Sequence, residues 1–224
     1  MKKELTLGYC PIGNGNSIEP FDKVFNRKQC VEDSMHGVDA VIFWGGTDIA
    51  PELYGQKPHP TSQAKHGMTK RDKFEWAVMN YCKVYQIPMI GVCRGAQMLT
   101  AFAGGSLIQN VTGHSSGNHQ MTTSEGEIMT TNSYHHQMMY PWNVPYEMLA
   151  WSTNDMSHFY DLEDDEHQAD MRLKVEPEVV YFPGINGLAI QGHPEWSTNT
   201  RFGGYCVDLV RTKLFNVVEE VLEN

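Results

Sequence analysis

The sequence predicts an α/β fold: a doubly wound, mainly parallel sheet with helices on both faces. Three observations carry this. Short apolar runs alternate with helix-period segments, residues 88–93 run as an apolar strand directly into a Gly-x-Cys-x-Gly turn and a helix, and no internal repeat or separate linker interrupts the pattern. Such alternation implies strands joined by helical crossovers, and ligands then bind beyond the C-terminal strand ends. At 224 residues and 41% hydrophobic content, residues 1–224 are long enough for one well-buried domain and are read as one.

Residues 5–9 (Leu-Thr-Leu-Gly-Tyr) and 38–44 read as short strands, with a helix or helical turn between them over residues 20–36. Residues 45–70 form a long loop rich in Gly, Pro and His, a length that is unusual without a function. Phe74, Val78, Tyr81 and Tyr85 recur at helical spacing, and Pro88 opens the strand that delivers Cys93. The next helix, residues 94–103, stops at Gly104-Gly105. From His119 to Gly192 the pattern changes to short apolar stretches such as 128–129 and 179–182, and 188–192 is the strand that leads to His193. Residues 201–222 place Cys206, Val210, Leu214, Val217 and Val221 on one face of an amphipathic helix.

Within this frame Cys93 is a candidate nucleophile. Gly91 and Gly95 flank it with residues that lack a Cβ, which permits a tight turn from strand to helix. The helix N-terminus near Arg94 favours a thiolate, and its N–H groups can hold a developing oxyanion. The thiol still needs a base. His193 with Glu195 supplies one, and the i, i+2 spacing lets both side chains share a face if the segment is extended, although Pro194 points to a strand end or loop. Taken alone, Cys93 also fits a buried structural thiol.

The pattern resembles the class I, or triad, glutamine amidotransferases and the related γ-glutamyl peptidases, a flavodoxin-like fold. Beyond Gly91-Val-Cys-Arg-Gly-Ala-Gln97 and Gln191-Gly-His-Pro-Glu195, four further stretches match in order: 43–55, 70–75, 104–109 and 132–137. The resemblance spans residues 38–196 and is nearest to the γ-glutamyl hydrolase branch, peptidase C26, which cleaves γ-glutamyl amines. It implies Cys93 as nucleophile, His193 as base and Glu195 as its orienting partner. It further implies an oxyanion hole from the Gly46 and Arg94 N–H groups, with Gln97, Ser133, Tyr134 and His135 along the wall that receives the glutamyl group. Tyr134 stands where relatives often carry Leu, and Gly192 where many carry Trp. The implied reaction passes through a γ-glutamyl thioester and needs no metal or organic cofactor. Its substrate is a small γ-glutamyl amide or glutamine. A glutaminase that feeds ammonia to a synthetase on a separate chain is the alternative, as no synthetase domain is present in the sequence. Two readings of other classes stand beside these: a non-catalytic binding protein on the same fold, and a different cysteine chemistry on a similar sheet.

Charge and cysteine use set outer limits. Lys+Arg 17 against Asp+Glu 27 gives a net charge of -10, which repels polyanions and argues against nucleic acid as a partner. No run reaches the roughly 20 apolar residues of a membrane span, and the apolar stretch after the two N-terminal lysines is too short for a signal peptide. Five cysteines without a C-x-x-C pair point to a reduced compartment, the cytoplasm. Homo-oligomers are compatible with the sequence. His114, His119, His135 and His136 lack the tight spacing of a metal motif. The acidic run 161–166 reads as a solvated loop, and residues 155–178 as either a lid or an acidic insert. Arg71-Asp72 either braces the active-site loops or marks a helix start, and Met138-Met139 reads as core.

Overall fold

The structure is a computed structural model that describes residues 4–12, 17–64, 66–161 and 175–216. Its strands in chain order are β1 (Thr6–Tyr9), β2 (Arg27–Cys30), β3 (Ala40–Phe43), β4 (Met89–Val92), β5 (Ser106–Ile108), β6 (Asn110–Val111) and β7 (Asn118–Thr123). Then follow β8 (Ile128–Asn132), β9 (Met138–Tyr140), β10 (Glu147–Ser152), β11 (Tyr160–Asp161), β12 (Pro177–Phe182) and β13 (Gly187–Ile190). The α-helices are α1 (Lys70–Tyr85), α2 (Arg94–Phe102) and α3 (Arg201–Leu209). Nine strands form one sheet in the order β2-β1-β3-β4-β13-β12-β10-β7-β8. From β2 to β13 every pairing is parallel, and from β13 to β8 every pairing is antiparallel. The two remaining sheets pair β5 with β9 and β6 with β11.

Side-chain alternation along the central strands divides the core into two layers. Ala40, Ile42, Ile90, Val92, Leu188 and Ile190 face a cluster that includes Phe202 and Cys206 of α3. Val41, Phe43, Met89 and Ala189 face the other side, where Val78, Met79 and Cys82 of α1 and Ala96, Met98 and Leu99 of α2 cover the sheet. The doubly wound α/β class is therefore correct, with an antiparallel extension on one side of the parallel strands.

Three local expectations change. Residues 20–36 hold a short 3₁₀ turn, Phe21–Lys23, and then strand β2, not a helix of any length. β2 is the edge strand, and Arg27 and Lys28 are exposed, so its apolar signature is missing while pairing with β1 supplies its order. In α1 the buried face is Asp72, Glu75, Val78, Met79 and Cys82, whereas Tyr81 and Tyr85 lie outside and pack on each other at 4.3 Å. In the last helix Cys206, Val210 and Leu214 are buried as expected, but the α-helical part ends at Leu209 and continues as a π-helical turn, Val210–Leu214. Val217 and Val221 lie outside the described residues, as does the acidic run beyond Asp161. Met138 and Met139 are core.

The long 45–70 loop is ordered by side chains. Asp48 accepts from the Gln63 N–H at 2.8 Å and bonds His136 Nε2 at 3.0 Å, while Gln109 bonds the His59 N–H, Gln56 and the Lys57 carbonyl. Such bonds hold the glycines at its start in place over the strand ends. Among the described residues, no helix is long and apolar enough to cross a membrane.

Candidate active site

β4 delivers Cys93 to the C-terminal edge of the sheet as the N-cap of α2, with φ 51° and ψ -106°. A non-glycine residue in this region costs about 1–3 kcal/mol and persists only where its surroundings fix it. Cys93 is fixed at both ends of its peptide: its N–H donates to the Ile190 carbonyl at 2.8 Å, and its carbonyl accepts from the Gln97 N–H at 3.1 Å. The flanking glycines serve close packing. A Cβ on Gly91 would stand 2.4 Å from the Gly95 carbonyl oxygen, and one on Gly95 would stand 2.0 Å from that of Phe43. α2 thus sits against β3 and β4 at a distance that side chains would forbid.

β13 pairs with β4 so that Ile190 lies opposite Val92, which brings the segment after β13 to the same sheet edge as Cys93. His193 and Cys93 stand together beside Gly45, where an added Cβ would lie 2.8 Å from the imidazole Cε1 and 3.6 Å from the Cys93 Cβ. The His193 Nδ1 lies 2.7 Å from Glu195 Oε1, which leaves Nε2 for the thiol. Pro194 starts a single 3₁₀ turn, Pro194–Trp196, so the segment is neither extended nor irregular. That turn brings Glu195 back to the imidazole and lays the Trp196 ring flat on it, 3.8 Å between centroids and 6° from parallel. Cys93 and His193 are buried, and the Glu195 side chain is only 6% exposed. Burial pushes the His193 pKa down, but the hydrogen bonds and charges of Cys93 and Glu195 outweigh it and raise the value to about 9.

Asn132, at the end of β8, holds the histidine's backbone on both sides. Its Oδ1 accepts from the His193 N–H at 2.6 Å and its Nδ2 donates to the His193 carbonyl at 2.8 Å. Nothing in the sequence around Asn132 marks that role, because the partner is 61 residues away. Trp196 was open to detection, since it adjoins Glu195. At Gly192 a Cβ would stand 2.6 Å from Thr131 Oγ1 and 3.0 Å from Phe202, so the larger residue of many relatives has no room there.

Cys93, His193 and Glu195 line a cavity of about 390 Å³ together with Gly45, Gly46, Arg71, Tyr134 and Trp196. A larger cavity, about 440 Å³, is lined by Lys83, Asn186 and Lys213, at the opposite end of the strands, and has no cysteine or histidine in its wall. Gly46 has φ 151°, and a Cβ there would meet Arg71 Nη1 at 2.4 Å. Arg71 donates to the Gly45 carbonyl at 3.1 Å, to the Trp44 carbonyl at 2.7 Å and from Nε to Glu75 at 2.8 Å. The Arg94 side chain is buried and pairs with Glu75 and Asp72, while its N–H belongs to the first turn of α2, whose N–H groups have no partner within the helix. Asp72 also closes a capping box with Thr69. The two readings of Arg71-Asp72 are thus both realised, one by each residue.

The four wall residues separate. Tyr134 lines the cavity, half exposed, and meets Trp196 edge-on at 5.1 Å. Gln97, Ser133 and His135 are buried and lie outside that lining. Gln97 Nε2 donates to the Gln137 carbonyl at 3.1 Å, Ser133 Oγ bonds His114 and His135, and His135 Nδ1 bonds the Gln137 carbonyl at 2.8 Å. Burial first, and the adjacent His114 second, hold the His135 pKa well below its ordinary value. His114, His119 and Glu178 bring one potential metal-ligand atom each within 4.8 Å of the others, a proximity that their spacing in the sequence conceals. Both imidazoles are hydrogen-bonded in the protein: His114 to Ser133 and Glu176, and His119 to Glu178.

The chain is similar to several known proteins. A glutamine amidotransferase-like protein of Lactococcus lactis is 31% identical over 150 residues, covering 57% of this chain and 76% of its own. A Mycobacterium tuberculosis protein provisionally named a glutamine amidotransferase is 34% identical over 127 residues, 48% of this chain but only 40% of its own length. The γ-glutamyl-CDP-amidate hydrolase of Campylobacter jejuni is 35% identical over 100 residues, 45% of this chain and 44% of its own. The chain therefore spans less than half the length of some of the relatives it matches. In fold it resembles a glutamine amidotransferase from Thermotoga maritima, with a TM-score of 0.57 at 13% identity, over 95% of this chain and 86% of that one. The Peptidase C26 family model matches residues 23–169, more than half of the sequence, and the chain belongs to the Peptidase C26 family.

Proposed function

We propose that this chain hydrolyses the amide bond of γ-glutamyl amines through a γ-glutamyl thioester on Cys93, releasing glutamate and an amine. The observation that carries the reading is the strained Cys93 at a helix N-terminus, which shares one cavity with His193, whose Nδ1 is held 2.7 Å from Glu195. The Campylobacter relative, named as a hydrolase of a γ-glutamyl amidate, supports hydrolysis over transfer.

In this reading Cys93 and His193 form a thiolate–imidazolium pair. The sulfur attacks the γ-carbonyl carbon, and the carbonyl oxygen takes up the charge and is held by the N–H groups of Gly46 and Arg94. As the tetrahedral centre collapses, the C–N bond breaks and His193 gives its proton to the departing nitrogen. Two partners hold that proton on His193, the Cys93 thiolate and Glu195. Acylation removes the first, so the histidine becomes a better acid as the amine leaves and is neutral afterwards. It then takes a proton from water, whose oxygen attacks the thioester carbon, and glutamate and the free thiol are restored. Gln97, Ser133 and His135 act from behind the wall in this scheme, fixing the 133–137 segment, while Tyr134 meets the substrate.

Glutamate release by the purified chain tests the reading, with glutamine and a series of γ-glutamyl amines as substrates and Cys93→Ala as blank. Cys93-dependent cleavage of γ-glutamyl amines, lost by several orders of magnitude in Cys93→Ala, is expected. Activity on glutamine alone, rising when a synthetase is added, would assign the chain as an ammonia-supplying subunit instead.

A further inference from the structure

We propose that Tyr134 and Trp196 form a leaving-group subsite for a planar ring, uncharged or anionic, so that the amine released is borne on such a ring. The inference rests on the γ-glutamyl hydrolase reading above. Its first ground is exposure. Trp196 is 57% and Tyr134 51% exposed, and both line the same cavity as Cys93 and His193, which are buried. Large rings left open beside a buried polar centre offer area that a substrate can cover.

The second ground is position. Trp196 is stacked on the imidazole that protonates the departing nitrogen. A group borne on that nitrogen therefore has the Trp196 ring, and beside it the Tyr134 ring, within the same cavity. Those rings stand at 83° to each other, 5.1 Å apart, so together they make a corner that is already in place before substrate arrives. A planar group can stack on one ring and meet the edge of the other, at little ordering cost, which an aliphatic chain cannot do.

The third ground is charge. A cationic amine tail would find a single carboxylate in the lining, Glu195. One of its oxygens is bonded to His193, and the other is buried. The cations in the lining, Arg71 and the protonated His193, repel a second positive charge.

Three substrates of similar size separate these factors: γ-glutamylbenzylamide, γ-glutamylcyclohexylmethylamide and γ-glutamylputrescine. The first two compare a flat aromatic ring with a puckered saturated one, the binding arm removing the difference in leaving-group basicity, and the third replaces the ring with a charged chain. Hydrolysis by the full chain gives kcat/KM, and calorimetric binding to Cys93→Ala protein gives affinity free of chemistry. The benzyl compound is expected to exceed the cyclohexyl compound about tenfold in both, and putrescine to rank last. In Tyr134→Leu the benzyl-to-cyclohexyl ratio should fall towards one, whatever the change in overall rate. Equal use of the first two compounds by the unaltered chain, or a preference for putrescine, overturns the subsite while leaving the hydrolase reading intact. Cys93-dependent hydrolysis of none of them overturns the hydrolase reading and the subsite with it.

Discussion

His193 owes its chemistry to a contest that burial alone would lose. Desolvation disfavours the imidazolium, yet Cys93 and Glu195 together lift the pKa from 6.5 to about 9. His193 therefore keeps its proton through neutral pH, and kcat/KM on a γ-glutamyl amide should fall as the pH rises through about 9. Replacing Glu195 with Gln removes one of the two supports. The alkaline limb should then move to lower pH, and the rate at pH 7 should drop on the order of 10²-fold. A pH–rate profile of the two proteins decides it, and an unmoved limb would mean that Glu195 does not act through His193. Stability follows the same sign. A raised folded-state pKa contributes stability that is complete below 6.5 and is lost as the pH rises through about 9, so the two proteins should differ in Tm in acid and converge in strong alkali.

At the scale of elements, the strand-turn-helix unit around Cys93 was legible because its signals are local: an apolar run, two glycines and a helix stop. β1, β3, β4 and β13 were legible for the same reason. The buried face of α1 was not, because Asp72 and Glu75 pair inside with Arg94 on α2, 22 and 19 residues away. β2 escaped because its order comes from β1, and the clamp by Asn132 because it crosses from the end of β8 to the segment after β13. The Asp72–Glu75–Arg94 set joins α1 to α2 through charges that are almost wholly out of water. Arg94→Met would leave the buried Asp72 without its cation and Glu75 with Arg71 alone, at a cost of about 3–5 kcal/mol. For a chain of this size that is a fall in Tm on the order of 10 °C. The exposed pair Arg201–Glu127 supplies the contrast: Arg201→Ala should cost about 1 kcal/mol or less. Thermal melts of both variants are the check, and equal shifts would remove the claim that burial makes the difference.

For the molecule as a whole, the antiparallel half of the sheet should contribute acid sensitivity through one carboxylate, Glu176. Glu176, next to the start of β12, is 1% exposed and gathers partners from two separate segments: His114 Nε2 at 3.0 Å from one, and from the other the Met156 and Ser157 N–H groups at 2.9 and 2.7 Å and the Tyr160 hydroxyl at 2.9 Å. Burial would raise its pKa, but those bonds outweigh burial and hold it below the ordinary 4.5. A depressed folded-state pKa gives stability that is present above 4.5 and is lost as the pH falls through the lower, folded value. Unfolding should therefore be insensitive to this group at neutral pH and respond to it only in acid. Protonation there loosens several parts of the chain at once, since the carboxylate ties 112–114 to 156–160 through shared partners. Glu176→Gln keeps the shape but not the charge, and its amide N–H groups oppose the donors already present. It should cost about 1–3 kcal/mol at pH 7 and flatten the acid limb of the Tm–pH curve, so that the variant and the unaltered protein approach each other below pH 4. Parallel curves at all pH values would place the acid sensitivity elsewhere.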